Sequence, residues 1–199
     1  MSKKYRSQSL EKIAILGGSF DPIHNGHILS AKHVANWLQL KSITLLPAYL
    51  SPHKDKTCAT TEHRAAMVKL TCQQEAIFNY DGRELARNKV SYTIDTLQEI
   101  KSQQPNSQIF FIIGMDSLLN FTRWHQWQDI LSLCHLVVNS RPEHPLSELS
   151  DHNKMLLKQY QITGLSELAN KPAGHIIFSP PINYKISSTE IRANILDNC

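Results

Sequence analysis

Short apolar runs and helix-spaced apolar positions alternate along the whole chain. Residues 12–16 form the first run, and after two glycines the apolar side chains from Ile28 to Leu38 recur every three or four residues. The first pattern is typical of a buried β-strand and the second of an amphipathic α-helix. Further strands are predicted at residues 42–46, 77–80, 109–113, 133–138 and 175–178. Further helices are predicted at residues 65–70, 92–101, 117–121, 155–160 and 187–196.

This order of elements predicts the class of fold. Strands that alternate with helices form a parallel sheet with helices packed on both of its faces. The run at residues 109–113 is the most apolar in the sequence and predicts a central strand that is covered on both faces. We therefore expect an α/β protein with a Rossmann-like, doubly wound parallel sheet, in one domain that spans residues 1–199. Ligands of such sheets bind in a crevice at the carboxyl ends of the strands.

Composition and charge narrow the class of protein. The 199 residues are 41% hydrophobic and 19% charged, which is typical of a globular chain, and no apolar stretch is long enough to span a membrane. The net charge of +4 is dispersed along the sequence, which suits an anionic small molecule better than a nucleic acid. Four cysteines without a C-x-x-C pair, and no visible signal peptide, predict a cytoplasmic protein with reduced thiols. The sequence leaves open whether the chain is a monomer or a homo-oligomer.

The clearest candidate site is the segment GGSFDPIHNGH, residues 17–27, which follows the first strand and runs into the first helix. Glycines allow close backbone approach to a ligand, and a helix start offers N–H groups and a positive dipole end to a phosphate. His24 and His27 are expected on one side of the first helical turn, as neutral rings that donate hydrogen bonds to phosphate oxygens. The alternatives are ordinary cap histidines or a zinc site. Zinc is poorly supported, because the H-E-x-x-H glutamate is missing and no cysteine lies close in sequence.

A second candidate site lies near the other end of the chain, in the segment ISSTEIR at residues 186–192. Ser187 and Glu190 have the spacing of a capping box, which predicts that a helix begins here with free backbone amides. Arg192 would stand near the positive end of that helix, where a cation is unfavourable unless an anion lies between. The segment therefore predicts a phosphate contact, and the alternative is a solvated arginine.

Three weaker signals follow other strands. The segment PHK at residues 52–54 lies in the polar loop after the second strand, which opens onto the same crevice. In the segment GMDS at residues 114–117, Asp116 could accept hydrogen bonds from ribose hydroxyls or simply cap a helix. Trp124 and Trp127 are core residues by default, although one of them could stack on an aromatic ring.

Together these motifs resemble the nucleotidylyltransferase superfamily. The HxGH pattern in the first glycine loop and SSTEIR near the end, in that order and separation, are specific for it. Five other segments are similar to the nicotinate-mononucleotide adenylyltransferases of that superfamily: PHK at 52–54, RNKVSYT at 87–93, IIGMDSL at 112–118, Trp124-His125, and SRP at 140–142. The resemblance covers about residues 12–196. It implies that the two ends of the chain converge to hold one triphosphate.

The resemblance also implies a reaction, its substrates and its residues. AMP would pass from Mg-ATP to nicotinate mononucleotide in NAD biosynthesis, giving nicotinate adenine dinucleotide and pyrophosphate without a covalent enzyme intermediate. Mg²⁺ would arrive with ATP and would have no dedicated protein site. The implied ATP-binding residues are Gly17, Gly18, Ser19, Phe20, His24, His27, Gly114, Asp116, Ser187, Ser188, Thr189 and Arg192. The implied residues for the second substrate are His53, Lys54, Tyr92, Thr93, Trp124, His125 and Arg141. The implied catalytic residues are His24, His27, Lys54 and Arg192.

Three other functions stay open at this point. The chain could be a related transferase that acts on nicotinamide mononucleotide or phosphopantetheine. Trp124 and the SYT segment favour a flat anionic ring over a flexible thiol arm. It could also be a nucleotide-binding protein without catalysis, against which the intact histidine pair argues. A nucleic-acid-binding module is disfavoured, because basic and aromatic residues are not interleaved.

Overall fold

The structure is a computed structural model that describes residues 10–52, 57–140, 149–169, 171–181 and 186–196. Seven strands lie in these segments: β1 Glu11–Gly18, β2 Ile43–Pro47, β3 Phe78–Tyr80, β4 Ser107–Gly114, β5 His135–Asn139, β6 Gln161–Ile162 and β7 Ile176–Phe178. The α-helices in the same segments are α1 Asn25–Leu38, α2 Thr61–Gln74, α3 Arg83–Arg87, α4 Thr93–Gln103, α5 Met115–Leu119, α6 Trp127–Leu133, α7 Asp151–Tyr160 and α8 Ser188–Leu196. The described residues also form two short 3-10 turns, at Phe121–Arg123 and Leu165–Leu168.

The strands form one parallel sheet in the order β3-β2-β1-β4-β5-β7-β6. The chain winds outward from β1 in one direction and from β4 in the other, so the order reverses between these two central strands. Their register pairs Leu16 with Ile112, which brings their carboxyl ends together. A crevice is expected at such a switch point. The predicted doubly wound α/β fold is confirmed.

Helices cover both faces of the sheet, because successive strand residues point to opposite sides. In β1, Ala14 and Leu16 pack into one hydrophobic cluster with Val34 of α1, whereas Ile15 packs into the other with Leu97 of α4. All residues of β4 except the last, Gly114, are buried. The prediction that the apolar run at 109–113 is a central strand covered on both faces is therefore correct.

Two helices of the structure were not expected from the sequence pattern. In Arg83–Arg87 the one buried residue is Glu84, so this helix has no apolar stripe to reveal it. Trp127–Leu133 follows Gln126, whose φ of 51° is left-handed, and it runs almost directly into β5. The strand predicted from residue 133 therefore begins two residues later, because an unbroken apolar run does not mark where a helix ends and a strand starts. The short helix predicted at 117–121 lies two residues earlier, at 115–119.

The environment of the chain can be described in part. No helix in the described segments is long and apolar enough to cross a membrane. Cys58, Cys72 and Cys134 are free thiols. Burial raises the pKa of Cys72 and of Cys134, so both are protonated and unreactive at neutral pH.

A buried polar network lies at the edge of the sheet opposite the crevice. The His135 ring is fully buried at the start of β5, and its Nδ1 accepts the backbone N–H of His175 at 3.2 Å. Its Nε2 lies 3.0 Å from the carbonyl oxygen of Lys171 and donates to it when the ring is neutral. Burial, the main cause, lowers the pKa of His135 to about 4.

This network predicts a loss of stability in acid. Between pH 6.5 and 4 the unfolded chain binds a proton at His135 that the folded chain does not, so stability falls as the pH falls through this window. The difference amounts to about 2–3 kcal/mol at pH 4.5. Urea unfolding at pH 7 and pH 4.5 should show a smaller acid loss for His135→Gln than for the wild type. Equal losses would contradict this assignment.

Candidate active site

A cavity of about 510 Å³ opens at the carboxyl ends of β1, β2, β4 and β5. Fourteen of the residues expected from the sequence line it: Gly17, Gly18, Ser19, Phe20, His27, Tyr92, Thr93, Gly114, Asp116, Trp124, His125, Ser188, Thr189 and Arg192. His24 and Ser187 do not line it and stand directly before the helices α1 and α8. His53, Lys54 and Arg141 lie outside the described residues.

The two histidines of the glycine loop have different positions. His24 is the N-cap of α1, with extended backbone angles, and His27 lies on the first turn of the helix. The expectation that both lie on the helical turn is therefore wrong for His24. The ring centroids are 3.8 Å apart, and Nδ1 of His27 accepts the backbone N–H of His24 at 3.3 Å. A neutral His27 ring held in this way carries its proton on Nε2, which makes that atom a donor.

Gly26 is required by the close approach of its neighbours. A Cβ at this position would lie 2.9 Å from the His24 ring and 3.1 Å from the carbonyl oxygen of Ile186. Contacts of that length force a shift of the ring or of the backbone before α8. The glycine of the HxGH pattern thus lets the start of α1 pack against the segment that leads into α8.

Phe20 keeps a strained backbone at the turn of the loop. Its φ of 49° lies in the left-handed region, which bulky side chains rarely adopt. Its buried ring meets the His27 ring edge-on, with centroids 5.4 Å apart. Such strain persists where the surrounding structure fixes it and is typical of functional sites. Here the left-handed backbone of Phe20 accompanies the packing of its ring against His27.

The predicted capping box at the start of α8 is confirmed. The Ser187 N–H donates to Oε2 of Glu190 at 2.9 Å, and the Glu190 N–H donates to Oγ of Ser187 at 3.2 Å. Oγ of Ser188 in turn donates to the carbonyl oxygen of Pro22 at 3.0 Å. The two sequence motifs therefore meet, as expected, on one side of the cavity.

The charge of Arg192 has a partner that the sequence did not suggest. Nη1 of Arg192 donates to the backbone carbonyl of Asp21 and lies 3.8 Å from Oδ2 of the same residue. The expectation that only an anionic ligand would offset this cation at the start of α8 is thus incomplete. The Asp21 carboxylate offsets part of the positive charge of Arg192. The arginine side chain keeps 30% of its surface exposed.

Asp21 also holds the segment that leads into α2. Its two carboxylate oxygens accept the backbone N–H groups of Cys58 and Ala59, both at 2.8 Å. The side chain is almost fully buried and lines the cavity. Asp21 therefore joins three parts of the site: the glycine loop, the start of α2 and the Arg192 side chain.

The carboxyl end of β4 forms the next part of the wall. No atom lies within 4 Å of the place that a Cβ would take on Gly114, so this strand end is uncovered. Gly114 itself is the N-cap of α5, and Asp116 lies exposed on its first turn. The alternative that Asp116 caps the helix is therefore wrong. Its exposed position on the cavity wall leaves the proposed contact to ribose hydroxyls open.

Aromatic side chains line another part of the wall. The half-buried Trp124 ring packs against Phe121 and Phe111, with centroids 5.4 and 6.4 Å away. The ring of His125 lies 4.8 Å from that of Tyr92, the N-cap of α4. Trp127 does not line the cavity and packs on Phe121, which makes it the core residue of the two tryptophans.

A buried carboxyl group, which the sequence did not single out, lies beside these aromatic residues. Glu84 lines the cavity and accepts a hydrogen bond from Oγ1 of Thr96 at 2.6 Å. Burial raises the pKa of Glu84, and hydrogen bonds from Thr96 and Ser91 oppose that effect. Its local sequence shows only a charged residue between two arginines, so its burial was not predictable.

The described residues offer no preformed metal centre. Within them, no group of three or more histidine, cysteine, aspartate or glutamate side chains is placed to hold a metal ion. The buried Asp21 carboxylate is already occupied by two backbone N–H groups.

Comparison with known proteins identifies the family. Residues 15–194 match the model of the cytidylyltransferase-like family. A protein of Psychromonas ingrahamii, named probable nicotinate-nucleotide adenylyltransferase, is 41% identical over 182 residues, which cover 92% of this chain and 85% of that protein. A protein of the same name from Acidithiobacillus ferrooxidans is 37% identical over 187 residues, which cover 94% of this chain and 86% of that protein.

A solved structure supports the fold independently. The nicotinic acid mononucleotide adenylyltransferase of Plasmodium falciparum, in complex with NaAD, superposes with a TM-score of 0.68 at 19% identity. The match covers 92% of this chain and 83% of that one. The family match and the sequence relatives show that the chain belongs to the nicotinate-nucleotide adenylyltransferases of the cytidylyltransferase-like family.

Proposed function

We propose that this chain transfers AMP from Mg-ATP to nicotinate mononucleotide, with nicotinate adenine dinucleotide and pyrophosphate as products. The observation that carries the proposal is that Ser188 and Arg192 of α8 contact Pro22 and Asp21 of the glycine loop, at the cavity that His27 also lines. Relatives with 41% and 37% identity are named for this activity. Related solved structures of low identity hold NaAD or APC.

The reaction needs no covalent enzyme intermediate. A phosphate oxygen of the mononucleotide attacks the α-phosphorus of ATP in line, and the bond from that phosphorus to the bridging oxygen of pyrophosphate breaks. The electron pair of that bond leaves with pyrophosphate, so atoms and charge balance without an added acid or base. The protein then has to align two anions and stabilise the charge that develops between them.

His27 is placed to stabilise that charge. Since its Nδ1 accepts a backbone N–H, the neutral ring presents a proton on Nε2 as a single hydrogen-bond donor. We assign this donor to the α-phosphate, where negative charge increases in the transition state. The backbone N–H groups of Gly18 and Ser19 would bind the same part of ATP, at the end of β1.

The start of α8 would hold the outer phosphates. Ser188 and Arg192 line the same cavity as His27, and the helix start adds a positive dipole end. A guanidinium fork suits phosphate oxygens, which it binds in pairs. Lys54 and His53 stay predictions from the resemblance. Mg²⁺ would arrive as part of the substrate Mg-ATP and would partly neutralise its phosphate charge.

The aromatic part of the wall would take the second substrate. The Trp124 ring is fixed by Phe111 and Phe121 and offers a flat surface for a pyridine ring. Tyr92 and Thr93 stand at the start of α4, where backbone N–H groups and the helix dipole favour a carboxylate. An acceptor with a flat anionic ring therefore fits this wall better than an aliphatic thiol arm.

Pyrophosphate release tests the proposal directly. The purified chain is incubated with ATP and Mg²⁺ and with one acceptor at a time: nicotinate mononucleotide, nicotinamide mononucleotide or phosphopantetheine. We expect the highest kcat/KM with nicotinate mononucleotide and a product with the mass of nicotinate adenine dinucleotide. A higher kcat/KM with either other acceptor, or no release with any of the three, would overturn it.

A tryptophan variant tests the acceptor wall. Trp124→Ala is expected to raise the KM for nicotinate mononucleotide by roughly 5- to 10-fold, because a stacked ring pair contributes about 1 kcal/mol. The KM for ATP should change by less than about twofold if stacking acts on the acceptor alone. Trp124→Phe, which keeps a flat ring, and Trp127→Phe, which alters the core tryptophan, are the controls. Equal increases in both KM values would remove the stacking role.

A further inference from the structure

A fully buried cation lies behind the cavity. Arg64, on the first turns of α2, has none of its surface exposed and is among the largest fully buried side chains. Arginine is rarely buried unless its donors are paired. Neither the sequence motifs nor the proposed reaction gives it a role, so the contacts of its guanidinium have to explain its place.

The guanidinium donates to two different loops. Its Nη1 donates to the carbonyl oxygens of Ser19, at 2.7 Å, and Ala48, at 2.6 Å. Its Nη2 donates to the carbonyl oxygen of Tyr49 at 3.0 Å. Ser19 belongs to the glycine loop after β1, whereas Ala48 and Tyr49 follow β2. One rigid, planar group therefore fixes both loops, as a flexible lysine ammonium could not.

Each of the two loops lines the cavity at a residue that Arg64 contacts. Ser19 and Ala48 line the cavity, although Arg64 itself does not. The Ala48 N–H also donates to the carbonyl oxygen of Gly18 at 2.9 Å, beside the guanidinium contacts. Burial lowers the pKa of Arg64, and the negative charge of the nearby Asp21 carboxylate opposes that effect. Arg64 thus holds Ser19 directly and Gly18 through Ala48, and the N–H groups of these two residues are the ones assigned to ATP.

The contacts continue from the second loop to the acceptor wall. The Tyr49 N–H donates to Oγ of Ser91 at 3.0 Å, and the Ser91 N–H donates to the carbonyl oxygen of Leu50 at 2.9 Å. Ser91 directly precedes Tyr92, the N-cap of α4. An unbroken series of hydrogen bonds therefore runs from the glycine loop through Arg64 and Tyr49 to the proposed nicotinate subsite.

We propose that Arg64 is a positioning residue that holds the phosphate-binding loop and the acceptor-binding wall at a fixed separation. This inference rests on the proposed function, because it assigns one substrate to each side. Since Arg64 touches neither substrate, its loss should impair the alignment of ATP with its acceptor. It should also weaken the binding of both substrates, in contrast to the one-sided effect expected of a residue that contacts a single ligand.

The kinetic test compares Arg64→Met and Arg64→Lys with a matched control. Lys101→Met removes a partly buried cation that donates to the backbone carbonyl of Ser107, at the amino end of β4 and away from the cavity. All proteins are assayed well below their unfolding temperatures. We expect Arg64→Met to lower kcat at least about 10-fold and to raise both KM values, in line with the cost of imprecise alignment. Arg64→Lys should show a smaller loss, and Lys101→Met should stay within twofold of the wild type.

Ser91→Ala provides a one-sided variant. It removes the oxygen that accepts the Tyr49 N–H but leaves all three guanidinium contacts in place. We expect it to raise the KM for nicotinate mononucleotide and to leave the KM for ATP within twofold. A folded Arg64→Met protein with wild-type kinetics, or a Lys101→Met protein with an equal loss, would overturn the positioning role. If Arg64→Met fails to fold, Arg64→Lys decides by the same criteria.

Hydrogen exchange of single amides tests the link without any substrate. In Arg64→Lys the amides of Ala48, Tyr49 and Ser91 should exchange at least about 10-fold faster than in the wild type, because local opening becomes easier. The amides of β4 and β5 should be unchanged. Unchanged exchange at the three amides would overturn the inference. If the wild type transfers AMP to no acceptor, the proposed function fails while this exchange result still decides the role of Arg64.

Discussion

Replacement of His27 by alanine is expected to lower kcat about 100- to 1000-fold, the usual cost of removing one donor to transition-state charge. Because Nδ1 accepts the His24 N–H, the neutral ring carries its proton on Nε2, and His27 lines the cavity. Because this donor acts most strongly in the transition state, kcat should fall much more than either KM rises. Steady-state kinetics with Mg-ATP and nicotinate mononucleotide measures the effect.

His63→Ala is the matched control for that variant. His63 lies at the third position of α2, as His27 does in α1, but it is exposed and does not line the cavity. Its kinetic constants should match those of the wild type. The melting temperatures of both variants should lie close to that of the wild type. A His27→Ala protein with a kcat within threefold of the wild type would exclude the assigned role.

Arg192→Met is expected to raise the KM for ATP by roughly 10- to 100-fold, since a hydrogen bond from a charged group contributes about 1.5–3 kcal/mol. The side chain is anchored to the Asp21 carbonyl and still has exposed surface on the cavity side. The KM for nicotinate mononucleotide should change far less, because the guanidinium lies on the proposed triphosphate side. Isothermal titration with Mg-ATP alone gives the same comparison without turnover.

An exposed lysine provides the control for lost charge. Lys158 lies exposed on α7 and does not line the cavity, so Lys158→Met removes one positive charge without touching the site. We expect its KM for ATP to stay within twofold of the wild type. Equal losses in the two variants would show that net charge, and not the position of Arg192, governs the binding of ATP.

The fold and much of the site were predictable because their signals are local. A run of five apolar residues at 109–113 indicates a covered strand whatever lies elsewhere in the chain. The spacing of Ser187 and Glu190 is likewise a local signal, which predicts a helix start. Both hydrogen bonds of the predicted capping box are present in the structure. The crevice then follows from the order of strands and helices, which places loops after β1, β2 and β4 at one edge of the sheet.

The supporting residues were not predictable because their partners are distant in sequence. Arg64 holds Ser19, 45 positions away, and Asp21 holds Cys58, 37 positions away. The sequence of α2 does not distinguish Arg64 from the other charged residues of this polar helix. Its full burial depends on how two loops fold over it, which no periodicity encodes. The different positions of His24 and His27 also depended on where α1 begins, which is least certain from sequence.

The bond between Ser188 and Pro22 joins residues 166 positions apart. At roughly 5–20 residues per second of synthesis, the ribosome adds the later partner about 10–30 s after the earlier one. The nascent chain therefore carries an unfinished cavity wall while most of the sheet has already been synthesised. That wall is completed only when α8 docks on the glycine loop through the contacts of Ser188 with Pro22 and of Arg192 with Asp21.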